Sequence, residues 1–306
     1  MKKIFILVTI LFITVSLASC NFEDEKEFDI ENPTRVAFLT LDILDILSDV
    51  GFEKTNIKEM GMLFKGEVDY LEEFNNDNVI DLGTHRALNY DEIDKLDPEL
   101  IILGNRTRSF KVELEEKYPK AIIYDATHDI SIGGLINTLD KNVEFLSSVF
   151  PNIKSDLENK FNTIKNDINE LKGQNIDVST LVIVLSGQEP RTNGKDSRYG
   201  ILYKDFGFKV ASEEYNSSDS HGQIISYEAI LEINPIVIFV MDRSSTVGEN
   251  EALDFDSFLN NTFVKETDAF ANSNVFLLNG DAWYMTSGGF ISARAMIKDV
   301  ETFLVK

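Results

Sequence analysis

Tyr90-Asp91-Glu92-Ile93-Asp94-Lys95-Leu96-Asp97-Pro98-Glu99-Leu100-Ile101-Ile102-Leu103-Gly104-Asn105-Arg106 has a counterpart 137 positions downstream, Tyr227-Glu228-Ala229-Ile230-Leu231-Glu232-Ile233-Asn234-Pro235-Ile236-Val237-Ile238-Phe239-Val240-Met241-Asp242-Arg243. Both place Tyr first, an acid second, Ile fourth, an aliphatic seventh, Pro ninth, then an apolar run closed by Arg. Asn89 and Ser226 stand where a side chain caps a short helix, Pro98 and Pro235 end it, and the aliphatic run suits a strand buried on both faces. The chain therefore carries an internal duplication, each copy reading helix, turn, strand, arginine. Ligands of open parallel α/β sheets bind beyond the carboxyl ends of the strands, so Arg106 and Arg243 are candidates for one anionic ligand between two lobes. Taken alone, the pair also fits two unrelated arginines supporting surface loops.

The duplication extends outward. Arg35 to Leu39 reads as a strand, with Thr40 as a cap for a helix whose Leu41, Leu44, Leu47 and Val50 recur at helical spacing up to Gly51-Phe52. In the second half Leu181 to Leu185 is the strand, Arg198 to Phe206 a short helix, and Gly207-Phe208 its close. Ala121 to Tyr124 and Val275 to Leu278 supply a further strand to each half. Between the halves, Leu139, Val143, Leu146 and Phe150, then Ile153, Leu157, Phe161, Ile164, Ile168 and Leu171, form apolar stripes of two consecutive helices, with Pro151 in the first turn of the second. The expected fold class is α/β: two similar lobes with mostly parallel sheets, a long helical connector, and the ligand cleft between the lobes. A helical connector restricts opening to a small hinge motion.

The amino terminus is an export signal by anatomy: Met1-Lys2-Lys3, an uncharged run from Ile4, then Leu17-Ala18-Ser19-Cys20. The apolar run is shorter than the roughly 18 residues that cross a bilayer. Leu17 to Cys20 resembles the lipobox of bacterial lipoproteins, which implies cleavage before Cys20 and lipid on that residue, so that several acyl chains anchor the protein; a Sec-type signal beside a buried thiol is the alternative. Cys20 is the sole cysteine, so no internal disulfide forms, and a mature chain of about 290 residues must rely on its core. Residues 21–32, polar and acidic, suit a tether. The expected division is signal peptide 1–19, lipidated Cys20 and tether 20–33, amino-terminal lobe 34–131, connecting helices 132–175 and carboxy-terminal lobe 176–306. Cleavage removes two of the 29 basic residues and none of the 52 acidic ones, leaving 27 against 52, a net charge of −25. Such a field disfavours nucleic acid and anionic lipid, and an anionic ligand needs arginines gathered close to it.

Further motifs follow in order: Ser197-Arg198-Tyr199-Gly200, Ser220-His221-Gly222-Gln223, Asp242-Arg243, and Trp283-Tyr284 followed by small residues to Gly288-Gly289. The pair Gly288-Gly289 is expected to allow a tight turn into the last helix. From about Arg35 to the carboxyl terminus the chain resembles the substrate-binding lipoproteins of iron-siderophore ABC importers, in particular their catecholate and petrobactin branch. The resemblance implies a cleft in which Arg106, Arg198 and Arg243 meet the catecholate oxygens of a ferric complex, with Arg108 and Arg191 as competing candidates. Guanidinium suits that ligand, since it donates to anionic oxygens and stacks on aromatic rings. It implies further that His221 and Tyr284 complete the iron shell when a siderophore supplies too few oxygens, a hydrogen-bonding histidine being the plainer alternative. Trp283 is expected against the ligand or the cleft wall, or behind Tyr284.

In this family a carboxylate on each lobe meets arginines of the permease, which implies Asp91 and Glu228 as docking points; both equally suit the first turn of a helix on dipole grounds. The implied ligand is a ferric siderophore, with no intrinsic cofactor. The implied partners are an ABC permease and its ATPase, the implied state a monomer, and the place the outer face of the cytoplasmic membrane. Catalytic motifs do not appear: there is no phosphate-binding loop, no G-x-S-x-G and no pair of spaced histidines among the three present. Two rival ligands use the same architecture. One is zinc or manganese held by His85, His128 and His221, the other haem with His221 or Tyr284 as axial ligand.

Overall fold

The computed structural model describes residues 30–127, 130–174, 176–216, 218–219, 221–249 and 252–304. The export signal, Cys20, most of the tether and His128 lie outside the described residues. Ile30 and Asn32, expected in the tether, already belong to the fold. Ile30 packs on the core, and the Asn32 amide donates to the Val149 carbonyl at the end of a connecting helix.

The first sheet is wholly parallel. Its strands lie in the order Val79–Asp81, Glu59–Met62, Arg35–Leu39, Leu100–Leu103, Ile122–Asp125. Chain order reverses between Arg35–Leu39 and Leu100–Leu103, and such a switch point opens a crevice at the carboxyl ends of the strands. The second sheet centres on Ser179–Ser186, paired in parallel with Val237–Asp242, which pairs in turn with Val275–Leu277. On the other side of Ser179–Ser186, Lys209–Val210 pairs in parallel at its start. Glu189–Thr192 pairs antiparallel at its end and carries Gln223–Ile224 beyond it.

The duplication is visible in backbone geometry. Helices Tyr90–Leu96 and Tyr227–Ile233 begin under Asn89 and Ser226, whose side chains accept from the amides of Glu92 and Ala229. Both end in a left-handed residue, Asp97 (φ 45, ψ 61) and Asn234 (φ 45, ψ 62), residue types that tolerate that region. Pro98 and Pro235 follow, buried, so each helix stops two residues before its proline. Gly51 (φ 100) and Gly207 (φ 84) likewise match. Thr40 does not cap the helix Asp42–Val50: Leu41 holds that place without a side-chain bond. The expected helix from Arg198 to Phe206 is a 3-10 turn, Arg198–Gly200, continued by Ile201–Lys204.

The two connecting helices are Ile130–Val149 and Lys154–Gly173, with the 3-10 turn Pro151–Ile153 between them. The apolar stripe of the second, Leu157, Phe161, Ile164, Ile168 and Leu171, is buried throughout, each such side chain contributing about 1.5–3 kcal/mol. One apolar cluster runs from the inner face of the first sheet through both connecting helices to the inner face of the second. The lobes are thus coupled through packed side chains rather than through a flexible crossing.

Each lobe also holds the amides of a helix outside itself: the first lobe those of the last helix, the second those of a connecting helix. Asp45 in the first lobe is fully buried and accepts from the amides of Ile291 (2.6 Å) and Ser292 (2.9 Å) at the start of the last helix, Phe290–Leu304. Asp205 in the second lobe accepts from the Leu135 amide at 3.1 Å, just past Gly134, where the helix Ile130–Val149 kinks (φ 77, ψ 176). A tight turn leads into the last helix, the Gly289 amide donating to the Thr286 carbonyl at 3.3 Å, and closeness adds its own demand for glycine: a Cβ at 289 would lie 2.1 Å from Asp45 Cγ.

Candidate functional site

Arg106, three residues past Leu103, and Arg243, directly past Asp242, extend from the carboxyl ends of the two duplicated strands into one cleft. Its volume is about 970 Å³, the size of a pocket for a sizeable organic ligand. Arg198 enters from the second lobe. Ser197 caps its 3-10 turn by accepting from the Tyr199 amide and donates to the Gly194 carbonyl. In the same motif Tyr199 is core, and Gly200 has no room for a side chain, since a Cβ would stand 2.1 Å from the Lys195 carbonyl oxygen.

Tyr284 is the floor of the site. It lies in a single π turn, Asp281–Met285, after the last strand. The guanidinium carbons of Arg106, Arg198 and Arg243 lie 4.4, 5.0 and 5.7 Å from its ring centroid. Arg106 also donates through Nη2 to the Tyr284 carbonyl at 2.6 Å, which ties the first lobe to the second, and Arg243 Nε donates to the phenol oxygen at 3.1 Å. Burial alone pushes the phenol up. The charge of Arg106, the hydrogen bond and charge of Arg243, and the charge of Arg198 outweigh it and hold the group below its ordinary value. The site therefore combines concentrated positive charge with an electron-rich ring, able to hold a flat, multiply charged anion by donation and stacking together.

The two competing arginines separate. Arg191 lines the cleft and donates to the Gly222 carbonyl at 3.1 Å, whereas Arg108 is paired with Asp125 at 3.5 Å, is largely exposed, and is not among the cleft-lining residues. His221 lines the cleft with an exposed side chain, its amide donating to Asp219 Oδ1 at 2.7 Å. Trp283 is placed differently from the ligand-contact expectation. It is fully buried, its indole N–H donates to Asp299 Oδ2 at 2.8 Å, and its ring stacks by Tyr199 at 6.5 Å, so it belongs to the core and not to the cleft surface. Asp91 and Glu228 are exposed in the first turns of the matched helices.

Two cleft residues, Arg86 and Glu249, escaped sequence reasoning, and His85 entered it only for the rival zinc or manganese reading. His85 and Arg86 form the two-residue tip of the hairpin Gly83–Thr84/Ala87–Leu88, whose strands are too short for any alternation to be read. Burial, then the charges of Arg106, Arg86 and Arg243, push His85 down, which favours its neutral form. Glu249 pairs with Arg243 at 2.6 Å and gives no sequence signal at all. With Arg86 and Arg191 included, five arginines line the cleft.

A two-lobed α/β receptor with a helical connector and an arginine-lined interlobe cleft is a substrate-binding protein of the transport type. The chain belongs to the periplasmic binding protein family, whose profile matches residues 36–282. It is 27% identical over 281 residues to the petrobactin-binding protein YclQ of Bacillus subtilis, covering 90% of this chain and 84% of the relative. It is 28% identical to the ferric-anguibactin-binding protein FatB of Vibrio anguillarum, covering 88% of this chain and 81% of that one. The crystal structure of the catecholate-siderophore-binding protein VctP from Vibrio cholerae superimposes with a TM-score of 0.78 at 25% identity, over 89% of this chain and 94% of VctP. That of YclQ does so with a TM-score of 0.79 at 26% identity, over 90% and 94%.

Proposed function

We propose that this protein captures a ferric siderophore of the catecholate type outside the cytoplasmic membrane and delivers it to the permease of an ABC importer. The observation that carries the reading is the convergence of Arg106, Arg198 and Arg243 on the Tyr284 ring in the interlobe cleft of a strongly acidic chain. A ferric tris-catecholate presents three negative charges on an aromatic periphery, which matches three guanidinium groups that both donate and stack. The relatives YclQ and FatB, which bind petrobactin and ferric anguibactin, support the same ligand class. A bare zinc or manganese ion would meet five arginines in this cleft, which disfavours the cation reading.

His221 and Tyr284 line the same cleft and are suited to ligate iron where the siderophore leaves positions open. Anchoring is through lipid on Cys20, and the protein acts as a monomer. Among the described residues no helix is long and apolar enough to cross a membrane. Asp91 and Glu228, exposed at matched places, are the docking points for the permease, which its ATPase drives.

The test is a titration of the domain from residue 30 onward with ferric catecholates, ferric hydroxamate, haem and zinc, followed by quenching of Trp283. Because Trp283 is buried in the core, quenching reports energy transfer to the coloured ferric complex and not ring contact. Saturable quenching by the catecholates alone is expected; a response only to haem or zinc overturns the reading. In His221→Ala/Tyr284→Phe, a tetradentate ferric complex loses affinity while a hexadentate one keeps most of it, and equal loss for both excludes ligation.

A further inference from the structure

Arg106 and Arg243 occupy matched places, yet they hold different groups. Arg106 donates to a backbone carbonyl, while Arg243 Nη1 donates to Glu249 Oε1 at 2.6 Å. That carboxylate stands exposed at the cleft and is held there by further bonds. Its second oxygen accepts from Ser244 Oγ at 3.1 Å, and the Glu249 amide donates to the Ser244 carbonyl at 2.8 Å, with Ser244 itself buried. Glu249 lines the cleft and feels Arg86 as well as Arg243, the groups a bound anion would use.

We propose that Glu249 is a specificity-determining residue that occupies the ligand's place on Arg243, so that an anion is retained only if it displaces this carboxylate while engaging Arg106, Arg198 and Tyr284. The inference rests on the siderophore reading of the cleft. Glu249 is covalently tethered six residues from Arg243, and such a tethered competitor acts at an effective concentration in the millimolar range or above. A small anion that gains one or two guanidinium contacts must compete against that tether. A trianion with flat catecholate rings gathers three guanidinium groups and a ring, and prevails. Glu249 also keeps Arg243 oriented over Tyr284 in the empty cleft and returns to it as cargo leaves.

The test compares the wild type with Glu249→Gln, using a hexadentate ferric tris-catecholate complex and citrate as probes, by calorimetric titration. Glu249→Gln is expected to bind the ferric complex about tenfold tighter and to gain more for citrate, so that discrimination between them narrows. Unchanged or weaker affinity for both probes overturns the proposal. Failure of the wild type to bind the ferric complex, with the citrate gain present, sinks the siderophore reading and leaves the competitor role standing.

Discussion

The two halves of the molecule share a scaffold and differ at its tip. Helices Tyr90–Leu96 and Tyr227–Ile233 match in length, in cap and in the left-handed residue that ends them, and each feeds a buried strand that leads to an arginine. Beyond the strand the likeness stops. Arg106 turns across the cleft to the Tyr284 carbonyl of the other lobe, whereas Arg243 stays on its own lobe between the Tyr284 phenol and Glu249. The second sheet also carries the antiparallel strands Glu189–Thr192 and Gln223–Ile224, which the first lacks and which bring Arg191 and His221 to the cleft. Duplication supplies two rigid platforms facing one gap, and loops added to one platform make the gap chemically lopsided. The groups that line the cleft therefore come mostly from the second half.

The sharpest way to break the likeness is at Asp91 and Glu228. If the copies serve the permease equally, Asp91→Lys or Glu228→Lys alone cuts siderophore-dependent growth, the double reversal abolishes it, and ligand affinity of the purified protein stays the same. Full uptake with Asp91→Lys would confine docking to the second lobe.

A smaller effect probes the two buried carboxylates that hold helix amides. Burial pushes the Asp45 carboxyl up to about 7 against the amides of Ser292 and Ile291, which favour its charge. Burial raises Asp205 as well, against the Leu135 amide. A carboxyl whose folded value is raised contributes stability below its unfolded value, near 4, and loses that contribution as pH rises through the folded value. Asn mimics the protonated form. Relative to wild type, Asp45→Asn should therefore gain on going from pH 5 to pH 8, by roughly 5 °C in melting temperature, with a gain of the same sign for Asp205→Asn. Parallel curves for wild type and variant would show that Asp45 stays ionised across that range.

Much of this was legible from the chain alone, because the features that carried it are local. The repeat at Tyr90 and Tyr227 needs only caps, prolines and an apolar run, and the connector announces itself by helical spacing. Arg106, Arg198 and Arg243 were reachable because each sits at the end of a readable element or inside a short motif. What escaped depends on contacts distant in sequence. Asp45 meets Ile291 and Ser292 only through the fold, so Gly289 could be read as part of a turn but not as the place where Asp45 leaves no room for a side chain. Trp283 was drawn to the ligand by its neighbour Tyr284, but the π turn directs the two rings apart, one into the core and one into the cleft. His85-Arg86 sits on a hairpin with two-residue strands, below the length at which alternation carries information.

The central claim is that both copies of the duplicated unit hold one anionic ligand. Titration of Arg106→Ala and Arg243→Ala separately with the same hexadentate ferric tris-catecholate tests it directly. Each substitution is predicted to weaken binding by roughly tenfold to a hundredfold, the scale of one hydrogen bond to a charged group. Wild-type affinity in Arg106→Ala beside a large loss in Arg243→Ala would contradict it, placing the ligand on the second lobe alone.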